Sequence, residues 1–131
     1  MSTESIRANQ PEDCDTLLGK AVTEGNLEGA LSLYEPGAAF VADPSQPPVS
    51  GDAAMREALN GFIVLKGTLN VNVRKKIESG DLALLYSEWT LSNGKGPDGS
   101  EVNLAGKGVE VVRRQADGSW KFVLDNPFPV E

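Results

Sequence analysis

Residues 34–59, YEPGAAFVADPSQPPVSGDAAMREAL, decide the fold. They read as the end of a helix, a short strand, a proline-rich crossing and the start of another helix. Pro36-Gly37 stops the first helix. Residues 38–42 are apolar, centred on Phe40 and Val41, and read as a strand. Residues 43–48 contain three prolines, which lack the N–H that a central strand donates, so the chain must cross there. Ser50 is placed to cap a helix over residues 51–65, with Met55, Leu59, Phe62 and Ile63 on one face.

Upstream, Asn9 or Gln10 can cap a helix with Pro11 in its first turn and Glu12, Asp13 and Asp15 at its positive end. Leu17, Leu18, Ala21 and Val22 recur at helical spacing, and Gly25 ends the run. Asn26 caps a second, shorter helix over residues 27–34. Downstream of Gly67 the period changes. Leu69, Val71 and Val73 alternate with Asn70, Asn72 and Arg74, a half-buried strand. Residues 79–81 turn the chain. Residues 82–91 are largely apolar and read as a central strand covered on both faces. Residues 93–99, NGKGPDG, form a hairpin tip and lack the helix start of a phosphate loop. A strand over 101–115, a turn at 116–118 and a last strand over 120–124 follow, with 125–127 beyond its end. The order is α+β: three N-terminal helices packed on a curved antiparallel sheet. Residues 10–131 form one domain, and residues 1–9 read as a flexible arm.

The chain has 131 residues, 40% of them hydrophobic, which suits a single domain with a real core. Its formal charge of -7 repels phosphates, so neither nucleic acid nor an anionic membrane surface is an expected partner. The basic runs 74–76 and 113–114 read as solvated strand faces. A single cysteine, Cys14, permits no intrachain disulfide and fits a cytoplasmic location. Set among acids, its thiol reads as unreactive. The first ten residues lack the pattern of a signal peptide, and no apolar run approaches the ~18 residues of a membrane span. There is no histidine. Histidine-based triads, histidine metal sites and thiolate zinc sites are therefore excluded, and neither metal nor organic cofactor is expected. Acid–base chemistry falls to Asp, Glu, Tyr or Lys.

Three segments, 24–43 (EGNLEGALSLYEPGAAFVAD), 50–59 (SGDAAMREAL) and 111–128 (VVRRQADGSWKFVLDNPF), together with the element order, resemble the nuclear transport factor 2-like, or cystatin-like, superfamily. The resemblance is to its SnoaL-like and ketosteroid isomerase-like bacterial branch. It implies a cone-shaped roll in which a long helix and a concave sheet enclose an apolar pocket, with a convex face that often forms a dimer. The fold hosts isomerases, dehydratases, cyclases and non-catalytic binders, so function must be read from the site.

Two acids stand out. Asp43-Pro44 occupies the place where the isomerases carry an Asp general base; the alternative is that Asp43 only opens a turn. Glu110 interrupts an apolar strand and shares a face with Gly106, Gly108 and Val112. The resemblance puts it where the isomerases carry a protonated acid that donates to an enolate-like oxygen. Facing outward, it would instead pair with Arg74 or Lys76. The tyrosine donor of the isomerases falls on Leu18, beside Leu17, and neither donates, so steroid isomerisation is not expected. Leu18, Tyr34, Phe40, Phe62, Trp89 and Trp120 either line a pocket or pack the core. Tyr86 and Glu88 share one strand face that reaches a pocket or a dimer interface.

Two functions follow. One is a pocket for an apolar, carbonyl-type small molecule, with weak isomerase-, dehydratase- or cyclase-like acid–base activity. The other is a non-catalytic association domain with a filled cavity. A cavity of roughly 300 Å³ or more with converging carboxylates favours the first. The apolar content of residues 69–73 and 82–91 exceeds what one helical layer can cover, so a homodimer through the sheet is expected.

Overall fold

The computed structural model describes residues 6–128. Three helices, α1 (Asp13–Glu24), α2 (Leu27–Leu31) and α3 (Asp52–Ile63), pack on five strands: β1 (Tyr34–Phe40), β2 (Thr68–Ser79), β3 (Leu82–Lys95), β4 (Glu101–Arg114) and β5 (Trp120–Asn126). The strand order is β1-β5-β4-β3-β2. β1 runs parallel to β5, and the other three pairings are antiparallel, so the sheet is mixed rather than wholly antiparallel. One-residue bulges bend it. Arg74 is the extra residue of β2 against β3, and Val123 that of β5 against β4.

The helices bury their apolar stripes on one sheet face. Ala21, Leu33, Leu59, Leu85, Val112 and Phe122 are almost wholly excluded from water. Side chains of this kind stabilise by roughly 1.5–3 kcal/mol each when fully buried. α1 approaches β2 closely because Gly19 has no side chain: a Cβ there would lie 2.8 Å from the Leu69 carbonyl oxygen. Thr23 Oγ1 accepts the Leu69 N–H at 2.8 Å and ties the two elements together.

Several boundaries move. The Asn26 carboxamide does cap α2, accepting the Gly29 N–H at 2.9 Å. That helix ends at Leu31, not Tyr34, because β5 offers ladder partners: Phe122 N–H donates to Leu33 O at 2.7 Å, and Tyr34 pairs with Phe122. The first strand accordingly starts at Tyr34 rather than residue 38. Neither expected cap of α1 acts as one; the Asn9 and Gln10 N–H groups instead donate to the Asp13 carboxylate. Gly51, not Ser50, precedes α3. β3 is covered on one face only: Ala83, Leu85, Ser87, Trp89 and Leu91 are buried, while Leu82 and Tyr86 are exposed.

Within the expected N-terminal arm, residues 7 and 8 meet the last turn and strand. Ala8 is 1% exposed and its carbonyl accepts the Trp120 N–H at 2.9 Å, while Arg7 pairs with Asp117 at 3.0 Å. Residues 1–5 lie outside the described residues. The basic runs find acids: Arg74 lies 3.9 Å from Glu88, Lys76 3.0 Å from Glu12, Arg113 2.9 Å from Glu35 and Arg114 2.7 Å from Asp81.

Candidate functional site

Alternation along β4 turns Gly108, Glu110 and Val112 toward the helices, where all three are buried. Glycine at 108 leaves the space that Glu110 uses: a Cβ there would lie 2.5 Å from Glu110 Oε2 and 2.8 Å from Ser87 Oγ. A Cβ at Gly106 would lie 2.9 Å from the Trp89 indole, so the ring lies over that glycine. Its Nε1–H donates to the Pro127 carbonyl at 3.0 Å. Glu110 is therefore inward, and its alternative partners Arg74 and Lys76 are engaged elsewhere.

Glu110 sits in register between Leu85 on β3 and Asp125 on β5. Asp125 reaches this face because of the bulge. With Val112 opposite Phe122 and Val111 opposite Leu124, Val123 is left over and the parity of β5 reverses. The expectation that residue 125 follows the end of the strand is thereby overturned. Tyr34 Oη donates to Asp125 Oδ2 at 2.5 Å, and Ser87 Oγ donates to Glu110 Oε2 at 2.8 Å. α1 adds Asp15, three residues before Leu18 and seven before Val22, on the same stripe. Asp15, Glu110 and Asp125 are 1%, 3% and 4% exposed.

The three carboxyl groups and Ser87 form the polar part of a cavity of about 50 Å³. Its apolar wall is Leu18, Val22, Phe40, Leu59, Phe62, Leu69, Val71, Trp89 and Pro127. Four of the six expected lining residues, Leu18, Phe40, Phe62 and Trp89, are there. Tyr34 stands behind Asp125 and does not line the space. Trp120 lies apart, held by Ala8 and under the Arg114 guanidinium, whose carbon is 6.0 Å from the ring centroid.

Burial dominates the electrostatics. It pushes the Glu110 carboxyl up to about 11, reinforced by its hydrogen bond to Asp15 and by the charges of Asp15 and Asp125, with Ser87 opposing. Burial raises Asp125 to about 7 against the Tyr34 hydrogen bond, and Asp15 to about 6 against the one from Glu110. At neutral pH Glu110 is thus a neutral acid beside acids close to their titration points. Among the described residues no other group donates to Asp15 Oδ2 or Glu110 Oε1. A carboxylate only accepts, so a proton on Glu110 makes these two bare oxygens a donor–acceptor pair. The Tyr34 phenol is held protonated, first by burial and then by the charge of Asp125, and acts as a donor. Burial and the charges of Asp15 and Asp13 likewise keep the Cys14 thiol protonated.

Asp43 is elsewhere. It is exposed on the crossing loop, does not line the cavity, and accepts the Ser45 N–H at 2.9 Å and the Ser45 hydroxyl at 2.8 Å. Those bonds hold its carboxyl below the ordinary range. The pairing of Asp43 with Glu110 across one cavity is not formed; Asp15 and Asp125 are the acids beside Glu110. Among the described residues, no three His, Cys, Asp or Glu side chains are grouped to hold a metal ion, and no helix is long and apolar enough to cross a membrane.

Residues 17–123 match the family model of the SnoaL-like domain. No curated protein matches the chain. Among solved structures, a ketosteroid isomerase-like protein from Erwinia carotovora atroseptica superposes with a TM-score of 0.76 at 16% identity, over 88% of this chain and 90% of that one. A candidate dehydratase of the nuclear transport factor 2-like family from Streptomyces avermitilis gives 0.70 at 21% identity, over 90% and 92%. A candidate calcium/calmodulin-dependent protein kinase type II association domain from Thiobacillus denitrificans gives 0.74 at 21%, over 98% and 100%. Identities this low speak for the fold alone.

Proposed function

Since the chain belongs to the SnoaL-like domain family, we propose that its cavity receives a small apolar carbonyl compound and that the acid cluster moves a proton on it. The observation that carries this reading is Glu110 and Asp125 side by side in register, both buried and both lining an apolar cavity, where burial pushes the two carboxyls up. Glu110 would give its proton to the carbonyl oxygen while the adjacent C–H bond breaks toward the Asp125 carboxylate, leaving a neutral enol. Tyr34 would hold Asp125 in place. Asp125 is preferred to Asp43 as base because it lines the cavity. The volume of about 50 Å³ falls short of the roughly 300 Å³ that would favour a ligand pocket, so the converging acids and not the volume support this reading, and an unrearranged cavity admits only a small compound.

The test is deuterium uptake by acetone in D₂O, followed by NMR. Exchange faster than in buffer is expected, reduced about 10²-fold or more in Asp125→Asn and Glu110→Ala. It should be unchanged in Asp43→Asn; a large loss there would move the base to Asp43. Exchange no faster than in buffer would remove the acid–base reading.

An association role rests on a different observation. Ile77, Leu84, Val111 and Leu124 stand in register across four strands, on the sheet face away from the helices, and Ile77 and Leu124 are 46% and 38% exposed. We propose that a second copy covers this row, in a cytoplasmic homodimer. Sedimentation should give a dimer at micromolar concentration, and Leu124→Glu should shift it to monomer. A wild-type monomer under those conditions would end this proposal.

A further inference from the structure

The cavity carries one sign of charge. Its lining has three carboxyl groups and no lysine or arginine. Buried acids ordinarily find a donor for each oxygen or a cation. Here Asp15 and Glu110, 1% and 3% exposed, each turn one oxygen to no donor residue among those described. The carboxyls are not grouped for a metal ion. The wall around them is apolar and includes three aromatic rings: Phe62 and Trp89 meet edge to face at 6.4 Å, and Phe40 stands with them among aliphatic side chains. Bare carboxyl oxygens beside aromatic rings recognise an organic ammonium group through charge-assisted hydrogen bonds and cation–π attraction. At ~10–15 Å³ per water-sized group, a cavity of about 50 Å³ holds roughly four such groups.

We propose that this cavity is a binding site for a small organic cation, a primary alkylammonium of roughly four heavy atoms. Its N–H groups are accepted by Asp15 Oδ2 and Glu110 Oε1, and its alkyl part lies against Phe62 and Trp89. In the unliganded protein the proton shared by Asp15 and Glu110 is the cation of the site. The ammonium group displaces it, so binding releases about one proton. The groups around that proton are Asp15 and Cys14 from α1, Ser87 from β3, Tyr34 from β1 and Asp125 from β5; none is basic. Anions are rejected. This inference goes beyond the proton-transfer reading and requires no reaction.

The experiment titrates the full chain with n-propylammonium, n-propanol and propionate, a cation, a neutral molecule and an anion of one size, followed by the Trp89 indole NMR signal. The ammonium is expected to bind at least ten-fold tighter than the alcohol, and propionate to leave the signal unmoved. Calorimetry in two buffers of different ionisation enthalpy should read close to one proton released. Asp15→Asn and Glu110→Gln, near in shape to the neutral acids, should each cut ammonium affinity at least ten-fold with an unchanged circular dichroism spectrum. Propanol binding as tightly as the ammonium would overturn the proposal, as would ammonium affinity unaltered in both variants or no binding of any probe. Acetone exchange without preference for the ammonium would defeat this inference alone; ammonium binding without exchange would defeat only the acid–base reading.

Discussion

Six acids of this chain fall into two opposite groups. Asp43, Asp98 and Asp117 sit in surface turns and share one device: each accepts both the N–H and the hydroxyl of the serine two residues on, in Asp43–Ser45, Asp98–Ser100 and Asp117–Ser119. All three carboxyls are held below the ordinary range by those bonds, Asp117 at about 2. Asp15, Glu110 and Asp125 sit under the helices, and burial pushes all three up. The same functional group is a fixed charge in one setting and a proton carrier in the other. The difference lies in whether donors or apolar walls surround it. An Asp-Pro pair in a promising place therefore says less about chemistry than an acid on an apolar stripe.

The buried group depends most on Glu110. Glu110→Ala removes the proton that joins it to Asp15, strands the Ser87 hydroxyl and enlarges the cavity. A loss of about 2–4 kcal/mol in urea unfolding is expected. Tyr34→Phe takes away the hydroxyl on Asp125 and should cost about 1–2 kcal/mol, while driving Asp125 further up, read by its carboxyl carbon shift against pH.

Glu110→Gln keeps the shape of the neutral acid and removes its proton equilibrium. The raised acids hold protons in the folded state that the unfolded chain has released. Wild-type stability is thus full below the ordinary carboxylate range near pH 4, and falls as pH rises through about 6 and 7 and on toward about 11. The glutamine cannot titrate, so above pH 8 wild-type stability should fall relative to that of the variant by up to about 1.4 kcal/mol per pH unit. Parallel curves would show that Glu110 is ionised throughout. The smallest effect belongs to Asp43→Asn, where melting temperature and its dependence on pH should both match wild type between pH 5 and 9.

Much of the fold is legible in the chain. Turn residues at 79–81 and 116–118, the proline-rich crossing and the change of period after Gly67 place three helices and the long strands close to where they stand. Glu110 is legible as an acid interrupting an apolar strand, on one face with Gly106, Gly108 and Val112, but alternation defines two faces without saying which one the helices cover. Asp15 carries a readable signal too, an acid on the stripe of Leu18 and Val22, obscured because the first turn of a helix favours acids anyway. Asp125 carries none. Its direction depends on one surplus residue, Val123, against β4, and a bulge is a property of two strands rather than of one. The parallel partner of β1 is hidden for the same reason, since only the closed sheet brings Tyr34 beside Phe122.

That pairing has a consequence for synthesis. β1 borders no strand but β5, so the strand that emerges first from the ribosome waits for the one that emerges last. Until then Tyr34 lacks its aspartate, Ala8 lacks the N–H it accepts, and the cavity lacks Asp125. Helices and central hairpins can form as they appear, but the chain becomes one cooperative unit only at its final strand. A ribosome stalled before Trp120 should therefore display a nascent chain that proteases still cut between β1 and α3, and a chain extended until β5 has left the ribosome should resist them.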